Sequence, residues 1–195
     1  MKTAFALTLC LVLAACAGAP PPPDVFYRLD HRPVKALAAP VLAGVVEVAT
    51  PSAEGLAGDR ALLYSSREHP DQVGRYSFHF WVEPPPLLVR DELVRVLREA
   101  QVAPQVVTAN LRVPADFVIE GRLKRFEQLA GGAPAVAVEI ELGVVRVRGN
   151  ELLLLRSYRQ ETPAAGDSPA DAVAALQLCL DQLLNRFLAD LSARR

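Results

Sequence analysis

Residues 135–150 read Ala135-Val136-Ala137-Val138-Glu139-Ile140-Glu141-Leu142-Gly143-Val144-Val145-Arg146-Val147-Arg148-Gly149-Asn150, and their pattern predicts the central strand of a β-sheet. Large apolar residues occupy every second position from Val136 to Leu142, which is the period of a half-buried β-strand. At Gly143 the alternation slips by one residue, and such a slip predicts a β-bulge. Gly149-Asn150 then predicts a tight hairpin turn.

The segments on either side of this stretch complete a three-stranded unit. Residues 116–126 alternate apolar with charged positions, and the turn-forming residues 130–134 separate them from the central strand. Residues 151–160 follow the hairpin turn and predict a return strand with Tyr158 near its end. Because both connections are short, we expect the three strands to pair antiparallel as a meander.

Further strand candidates are shorter and lie mostly nearer the N-terminus. Each is rich in β-branched or aromatic residues and is bounded by proline or glycine. They comprise residues 25–29, 41–48, 61–65, 75–82 and 105–108.

Two segments have the period of amphipathic helices. The first follows Pro84-Pro85-Pro86, since proline is tolerated in a first helical turn. The second follows Ser168, which can cap a helix with Pro169 at the first position and Asp171 at the third. The apolar positions are Val89, Leu93, Val96, Leu97 and Ala100 in the first, and Val173, Leu176, Leu180, Leu183, Leu184, Phe187, Leu188 and Leu191 in the second.

The wide stripe of the second helix has two interpretations. We expect it to cover the sheet; the alternative is a coiled coil with a partner. Together the segments predict an α+β domain of two layers, in which two amphipathic helices cover a mostly antiparallel sheet of six to seven strands.

The N-terminus has the pattern of a signal peptide. Lys2 precedes an apolar run that ends in Leu13-Ala14-Ala15-Cys16. The run is shorter than the roughly 20 residues that a membrane-spanning helix needs. The last four residues resemble the bacterial lipobox, so we expect cleavage between Ala15 and Cys16 and lipidation of Cys16. The alternative is an ordinary secreted protein in which Cys16 is a stray thiol.

An N-acyl chain (palmitate) and an S-diacylglyceryl group on Cys16 would hold the chain on a bilayer, because two or more acyl chains give stable anchoring. Ala17, rather than aspartate, follows the cysteine, which resembles the default for transfer to the outer membrane among enterobacterial lipoproteins, so we expect the periplasmic face of the outer membrane as the location. We therefore expect a signal peptide at 1–15, a lipidated, proline-rich tether at 16–24 and a folded domain at 25–195.

The composition excludes several classes of function. Lys and Arg (21) nearly balance Asp and Glu (22), so nothing indicates a nucleic-acid partner. His31, His69 and His79 are far apart and have no metal-ligand spacing, and Cys179 is expected to be a buried apolar residue. We find no motif of catalytic residues, and we expect no enzymatic activity, no metal and no cofactor beyond the lipid on Cys16.

Four features in this order resemble the family of ABC-type transport auxiliary lipoproteins. They are the lipobox Leu13-Ala14-Ala15-Cys16, Phe26-Tyr27-Arg28-Leu29, Gly55-Leu56-Ala57-Gly58-Asp59-Arg60, and Tyr76 to Trp81-Val82-Glu83-Pro84-Pro85 running into a helix with Leu93 and Leu97. The resemblance spans the whole mature chain. It implies a fold similar to the N-terminal domain of TolB.

The resemblance also implies a function without catalysis. Such lipoproteins look like accessory subunits of ABC transporters whose periplasmic MCE-domain proteins move phospholipids or other hydrophobic molecules. The implied partners are an MCE-domain protein, ABC transporter subunits and further copies of the chain as a homo-oligomer. Only Cys16 is carried over from the family as a defined functional residue.

Gly55, Asp59, Arg60 and Trp81 are candidates for contact with a partner. A structural role is favoured for each, since the glycine suits a turn, the two charges can pair locally and tryptophan is commonly a core residue. An exposed Trp81 would instead be a natural interface anchor.

Other functions compete with the transport subunit. A lipoprotein regulator of peptidoglycan synthesis would need a longer stalk than residues 17–24 provide. A lipid carrier would need an apolar cavity of several hundred Å³ between sheet and helices, where the core leucines are expected. A periplasmic hydrolase has no support beyond the compartment.

Overall fold

The computed structural model describes residues 20–30 and 32–193. The predicted leader, the cleavage site at Ala15 and Cys16, and the lipidation of Cys16 lie outside these residues, as does His31. The strands of the described part are β1 (Val25–Tyr27), β2 (Val45–Val48), β3 (Ser52–Ala53), β4 (Ala61–Ser66), β5 (Val73–Trp81), β6 (Gln105–Thr108), β7 (Phe117–Ala130), β8 (Ala135–Arg146) and β9 (Glu151–Pro163). The helices are α1 (Pro85–Glu99) and α2 (Pro169–Ser192), with short 3-10 helices at Gly55–Gly58 and Ala109–Leu111.

Strand β7 is the centre of the sheet. It pairs antiparallel with β8 from Phe117 to Leu129, and β8 pairs antiparallel with β9, which confirms the predicted meander. Along its other edge β7 pairs in succession with β2, β3 and β4, all parallel. Strand β6 continues the sheet beyond β2, and β5 and then β1 continue it beyond β4.

The α+β class is confirmed, whereas the sheet has more strands than predicted. Nine strands, not six to seven, form one sheet in the described part of the chain. Three antiparallel pairs hold most of the paired residues, but five pairs are parallel. The parallel pairs join strands that are distant in the sequence, and alternation shows which face of a strand is buried but not which strand lies beside it.

The second strand begins at Val45, not at residue 41 as predicted. The backbone N–H groups of Val41 and Leu42 both donate to the carbonyl of Val102, at 2.8 and 3.0 Å. Residues 41 and 42 are therefore held beside the turn that follows α1 and take no part in the sheet.

The core lies between one face of the sheet and the two helices. The α2 stripe is buried there from Leu176 to Leu191, which confirms that it covers the sheet. Phe187 contacts Tyr158 of β9 edge to face, with ring centroids 6.1 Å apart. Among the described residues, neither helix is long and apolar enough to span a membrane.

Local signals fix the ends of the elements. The Ser168 hydroxyl accepts a hydrogen bond from the Asp171 N–H (3.1 Å), so the predicted cap of α2 is confirmed. The β8–β9 turn has positive φ at Gly149 (+89°) and Asn150 (+49°), and the ladder shifts register next to it, between Val144 and Val145. The turn was predicted correctly, whereas the bulge predicted at Gly143 is not found there. Gly143 stays in register with Glu120 and Leu155, and the shift comes from one extra residue, Leu153, in β9.

A polar cluster joins the two helices. Glu92 of α1 is buried and pairs with Arg95, whose guanidinium also donates to the Arg32 carbonyl (2.8 Å). On α2, Gln177 donates its side-chain N–H to Asp181 (2.9 Å). Burial raises the pKa of Asp181, because removal from water disfavours its charge. Arg32, in the segment after β1, is thus held beside both helices, by Arg95 of α1 and Asp181 of α2.

Truncation of the α2 stripe should destabilise the domain strongly. Leu180→Ala leaves a cavity under the sheet, and we expect it to lower the free energy of unfolding by about 2–5 kcal/mol. Leu152→Ala, at an exposed leucine of β9, should change it by less than about 0.5 kcal/mol. Urea unfolding of the unlipidated domain measures both values, and similar values for the two variants would contradict the assigned core.

The pH dependence of stability should contain a contribution from Asp181. A carboxyl whose pKa is raised by folding loses stability as the pH rises from about 3.9, its ordinary unfolded value, through the raised folded value. Asp181→Asn cannot ionise, so its free energy of unfolding should gain on that of the wild type across this acid range. The exposed Asp91→Asn is the control, and parallel pH profiles for wild type and Asp181→Asn would refute the assignment.

Candidate interaction surfaces

The loop at residues 55–60 is shaped by its glycine. Gly55 has φ +51°, and a Cβ at this position would meet nothing within 4 Å, so the glycine serves the left-handed backbone and not close packing. Asp59 lies 3.9 Å from Arg75, and both side chains are well exposed. A pair at this distance and exposure adds little stability.

Arg60 fastens the loop to the end of β5. Its Nε and Nη2 donate to the carbonyls of Trp81 (3.2 Å) and Val82 (3.0 Å), and its own carbonyl accepts from the Trp81 N–H. The guanidinium also lies 5.7 Å from the ring centroid of Phe26. A guanidinium with five donors can bridge several acceptors in this way, so Arg60 has a structural role.

Trp81 is a core residue. Only 1% of it is exposed, and its ring lies 5.3 Å from that of Phe126. The favoured structural interpretation of Trp81 is thus confirmed, and its side chain offers no surface to a partner. Of the four predicted contact residues, Gly55, Asp59 and Arg60 form a surface loop, while Trp81 lies beneath the end of that loop.

An aromatic row connects β1, β5 and β4. Tyr27, His79, Tyr76 and Tyr64 contact in that order, with ring centroids 5.1–5.9 Å apart. The Tyr27 hydroxyl lies 3.0 Å from His79 Nδ1, and the Tyr76 hydroxyl donates to Gln128 (2.7 Å). Burial raises the pKa of Tyr27 and of Tyr76, so both phenols stay protonated at neutral pH and hold the strands together.

Cys179 is buried, as predicted. Burial raises the pKa of its thiol, which therefore stays protonated and is a poor nucleophile at neutral pH. In the described residues, no three His, Cys, Asp or Glu side chains are close enough to hold a metal ion.

An apolar patch lies at the turn end of β8 and β9, on the face away from the helices. Val145, Leu152 and Leu155, which we call the hairpin patch, line a shallow depression of about 240 Å³. Leu152 and Leu155 are each 57% exposed. Leu155 lies over Gly143, where an added Cβ would come within 3.4 Å of its methyl group.

Leu152 also borders a second depression on the helix side of the same turn. This depression measures about 660 Å³, and Val41, Leu42, Phe117 and Leu191 line it. The hairpin is thus apolar on both faces. The sequence carried a signal for this, because the run Leu152-Leu153-Leu154-Leu155 breaks the alternation of a half-buried strand and must expose some of its leucines.

The space between sheet and helices is closed. Leu176, Leu180, Leu183 and Phe187 are buried in it, at the positions that a lipid carrier would need to leave empty. The depressions described above open at the surface of the domain. An acyl chain therefore has no enclosed site at the centre of this layer.

Solved structures with a similar fold are known, whereas no curated protein matches the chain. A crystal structure of a Xanthomonas campestris protein of family DUF330 has a TM-score of 0.75 and 19% identity, covering 87% of this chain and 96% of that one. The crystal structure of another, uncharacterized protein has a TM-score of 0.69 and 16% identity, covering 88% and 100%. At these identities the likeness shows a shared fold.

A match of the sequence to a family model shows the family of this chain. A family model for the ABC-type transport auxiliary lipoprotein component matches residues 27–187, from the end of β1 to near the end of α2. The match therefore includes the meander, both helices and the loop at residues 55–60. The chain belongs to the ABC-type transport auxiliary lipoprotein component family.

Proposed function

We propose that the protein is an accessory subunit of an ABC transport system, lipid-anchored at Cys16 to the periplasmic face of the outer membrane. Its partner is a periplasmic MCE-domain protein that carries phospholipids or other hydrophobic molecules. The observation that carries the proposal is the family match, which spans nearly the whole folded domain. The protein acts through contacts with other proteins.

The closed core favours protein contacts over transport of lipid inside the domain. A carrier needs an apolar cavity of several hundred Å³ that encloses its ligand. The layer between sheet and helices is filled by α2, from Leu176 to Phe187. The domain is therefore better suited to position a partner than to hold cargo, and the short tether at residues 17–24 argues against a regulator that reaches peptidoglycan synthases.

The hairpin patch is the surface that best fits such a partner. Interfaces commonly have an apolar centre and a polar rim. Leu152, Leu155 and Val145 provide the centre, and Glu120, Arg122 and Glu141 surround it. We assign the patch to the periplasmic protein of the transport system, because an auxiliary subunit must contact another component.

Disruption of the patch should release the partner. In cells crosslinked in vivo, tagged wild type should recover an MCE-domain protein and ABC transporter subunits. Leu152→Gln with Leu155→Gln should lower this recovery at least about tenfold, since a loss of about 1.4 kcal/mol of binding energy has that effect. Quantitative mass spectrometry of the purified complexes measures the recovery.

Two controls separate the causes of a loss. Leu111→Gln with Val113→Gln replaces two other exposed apolar side chains and should leave recovery unchanged. Cys16→Ala removes the anchor and should weaken recovery without altering the patch. Recovery of a peptidoglycan synthase with no transporter component would refute the transport function, while full recovery with the patch variant would place the contact elsewhere on the domain.

A further inference from the structure

A second exposed apolar site lies at the other end of the sheet, where the tether enters the domain. Strand β1 is an edge strand and follows the tether directly. Val25 and Phe26 of this strand are both exposed, Phe26 to 53%. Four strands, β5, β4, β7 and β8, separate β1 from β9 in the sheet, so this site is distinct from the hairpin patch.

The Phe26 ring is held in place although it is exposed. It lies 5.8 Å from the ring of Phe80 and 5.7 Å from the Arg60 guanidinium, centroid distances that correspond to aromatic and cation–π contacts. Arg60 is itself fixed by hydrogen bonds to two backbone carbonyls of the β5 end. Aromatic rings and arginine side chains are both favoured at a membrane–water interface, and here the two are held side by side.

The tether keeps this site close to the membrane. Only residues 17–24 separate Cys16 from Val25, and because an extended chain spans at most about 3.6 Å per residue, they reach no further than about 29 Å. Pro20 to Pro23 are exposed and lie outside any helix or strand. Of all exposed apolar residues in the described part, Val25 and Phe26 are nearest to the anchor along the chain.

We propose that Val25 and Phe26, which project from opposite faces of the edge strand β1 and which we call the anchor edge, insert into the headgroup region of the bilayer that holds Cys16 and so fix the orientation of the domain. This proposal rests on the lipid anchor of the proposed function. Two side chains are too few for a stable protein interface, which needs about 800 Å² from each partner. Two side chains are enough for insertion into a bilayer, because the lipid anchor already holds the domain at the membrane and insertion is then an intramolecular step.

Charge contributes little to this contact. Asp24, Arg28 and Asp30 lie within five residues of the anchor edge along the chain, and Arg60 contacts the Phe26 ring, so charges of both signs are near it. The apolar side chains and the aromatic ring therefore drive the insertion, and it does not require an anionic lipid.

A tryptophan reporter tests the proposal in the lipidated, full-length protein. Phe26→Trp and the control Leu111→Trp, at a leucine that is 60% exposed, are reconstituted in vesicles of phosphatidylethanolamine and phosphatidylglycerol. The vesicles also contain phosphatidylcholine brominated on its acyl chains, which quenches indole at close range. Trp81 is buried and gives the same background in both variants.

We expect bromine to quench the added indole at position 26 at least about threefold more than that at position 111, as for an aromatic residue at headgroup depth. Replacing phosphatidylglycerol by phosphatidylcholine should leave the quenching unchanged. Equal quenching of the two variants would overturn the proposal. Protection of position 26 from aqueous acrylamide without bromine quenching would also overturn it, because a second copy of the chain would then cover Phe26.

The outcome is separable from the proposed function. Flotation of the wild type with the vesicles reports the anchor alone, so a protein that does not float refutes the anchoring and this proposal with it, whereas a protein that floats with equal quenching of the two variants refutes the orientation alone. Loss of the transporter components in the crosslinking experiment would leave the quenching result intact. Circular dichroism of Phe26→Trp and Leu111→Trp shows that both variants are folded before quenching is compared.

Discussion

Strand β7 is hydrogen bonded along both of its edges, and this pairing places the other strands and the helices. One edge is occupied by β8 from Phe117 to Leu129. The other edge receives three strands in succession, β2 at residues 117–119, β3 at 122–123 and β4 at 127–130. A single 14-residue strand therefore sets the positions of the N-terminal strands and of the meander. Loss of its register would displace both groups and the helices that cover them.

The features that could be predicted from the sequence are those that neighbouring residues encode. The Ser168 cap and the Gly149-Asn150 turn each depend on a few adjacent positions, and the structure contains both. The bulge predicted at Gly143 was wrong, because β8 keeps its register there and the extra residue lies in β9. The parallel partners of β7 depend on contacts between distant segments, and no local pattern encodes those. The shortened second strand has the same cause, since the Val102 carbonyl that holds residues 41 and 42 lies about sixty residues away.

The candidate surfaces also divide into features that neighbouring residues encode and features that depend on contacts between distant residues. The glycine of the 55–60 loop was recognisable as a turn residue, but the role of Arg60 depends on the carbonyls of Trp81 and Val82, which only the fold brings near. The hairpin patch is encoded by a run of four leucines, but the return strand predicted at residues 151–160 does not by itself show which of these leucines are exposed. The described surface thus offers two apolar sites at opposite ends of one sheet, with a closed core between them.

The position of β1 has a mechanical consequence. If the chain is anchored at Cys16 as proposed, the covalent path from the lipid to the domain passes through residue 24 into β1, so tension between membrane and protein first loads this strand. Three residue pairs with β5 and the contact of the Tyr27 hydroxyl with His79 resist that load. Because β1 is short and lies at an edge, it is the joint at which a pull on the lipid would first detach chain from domain, before the long ladders of β7, β8 and β9 carry any force.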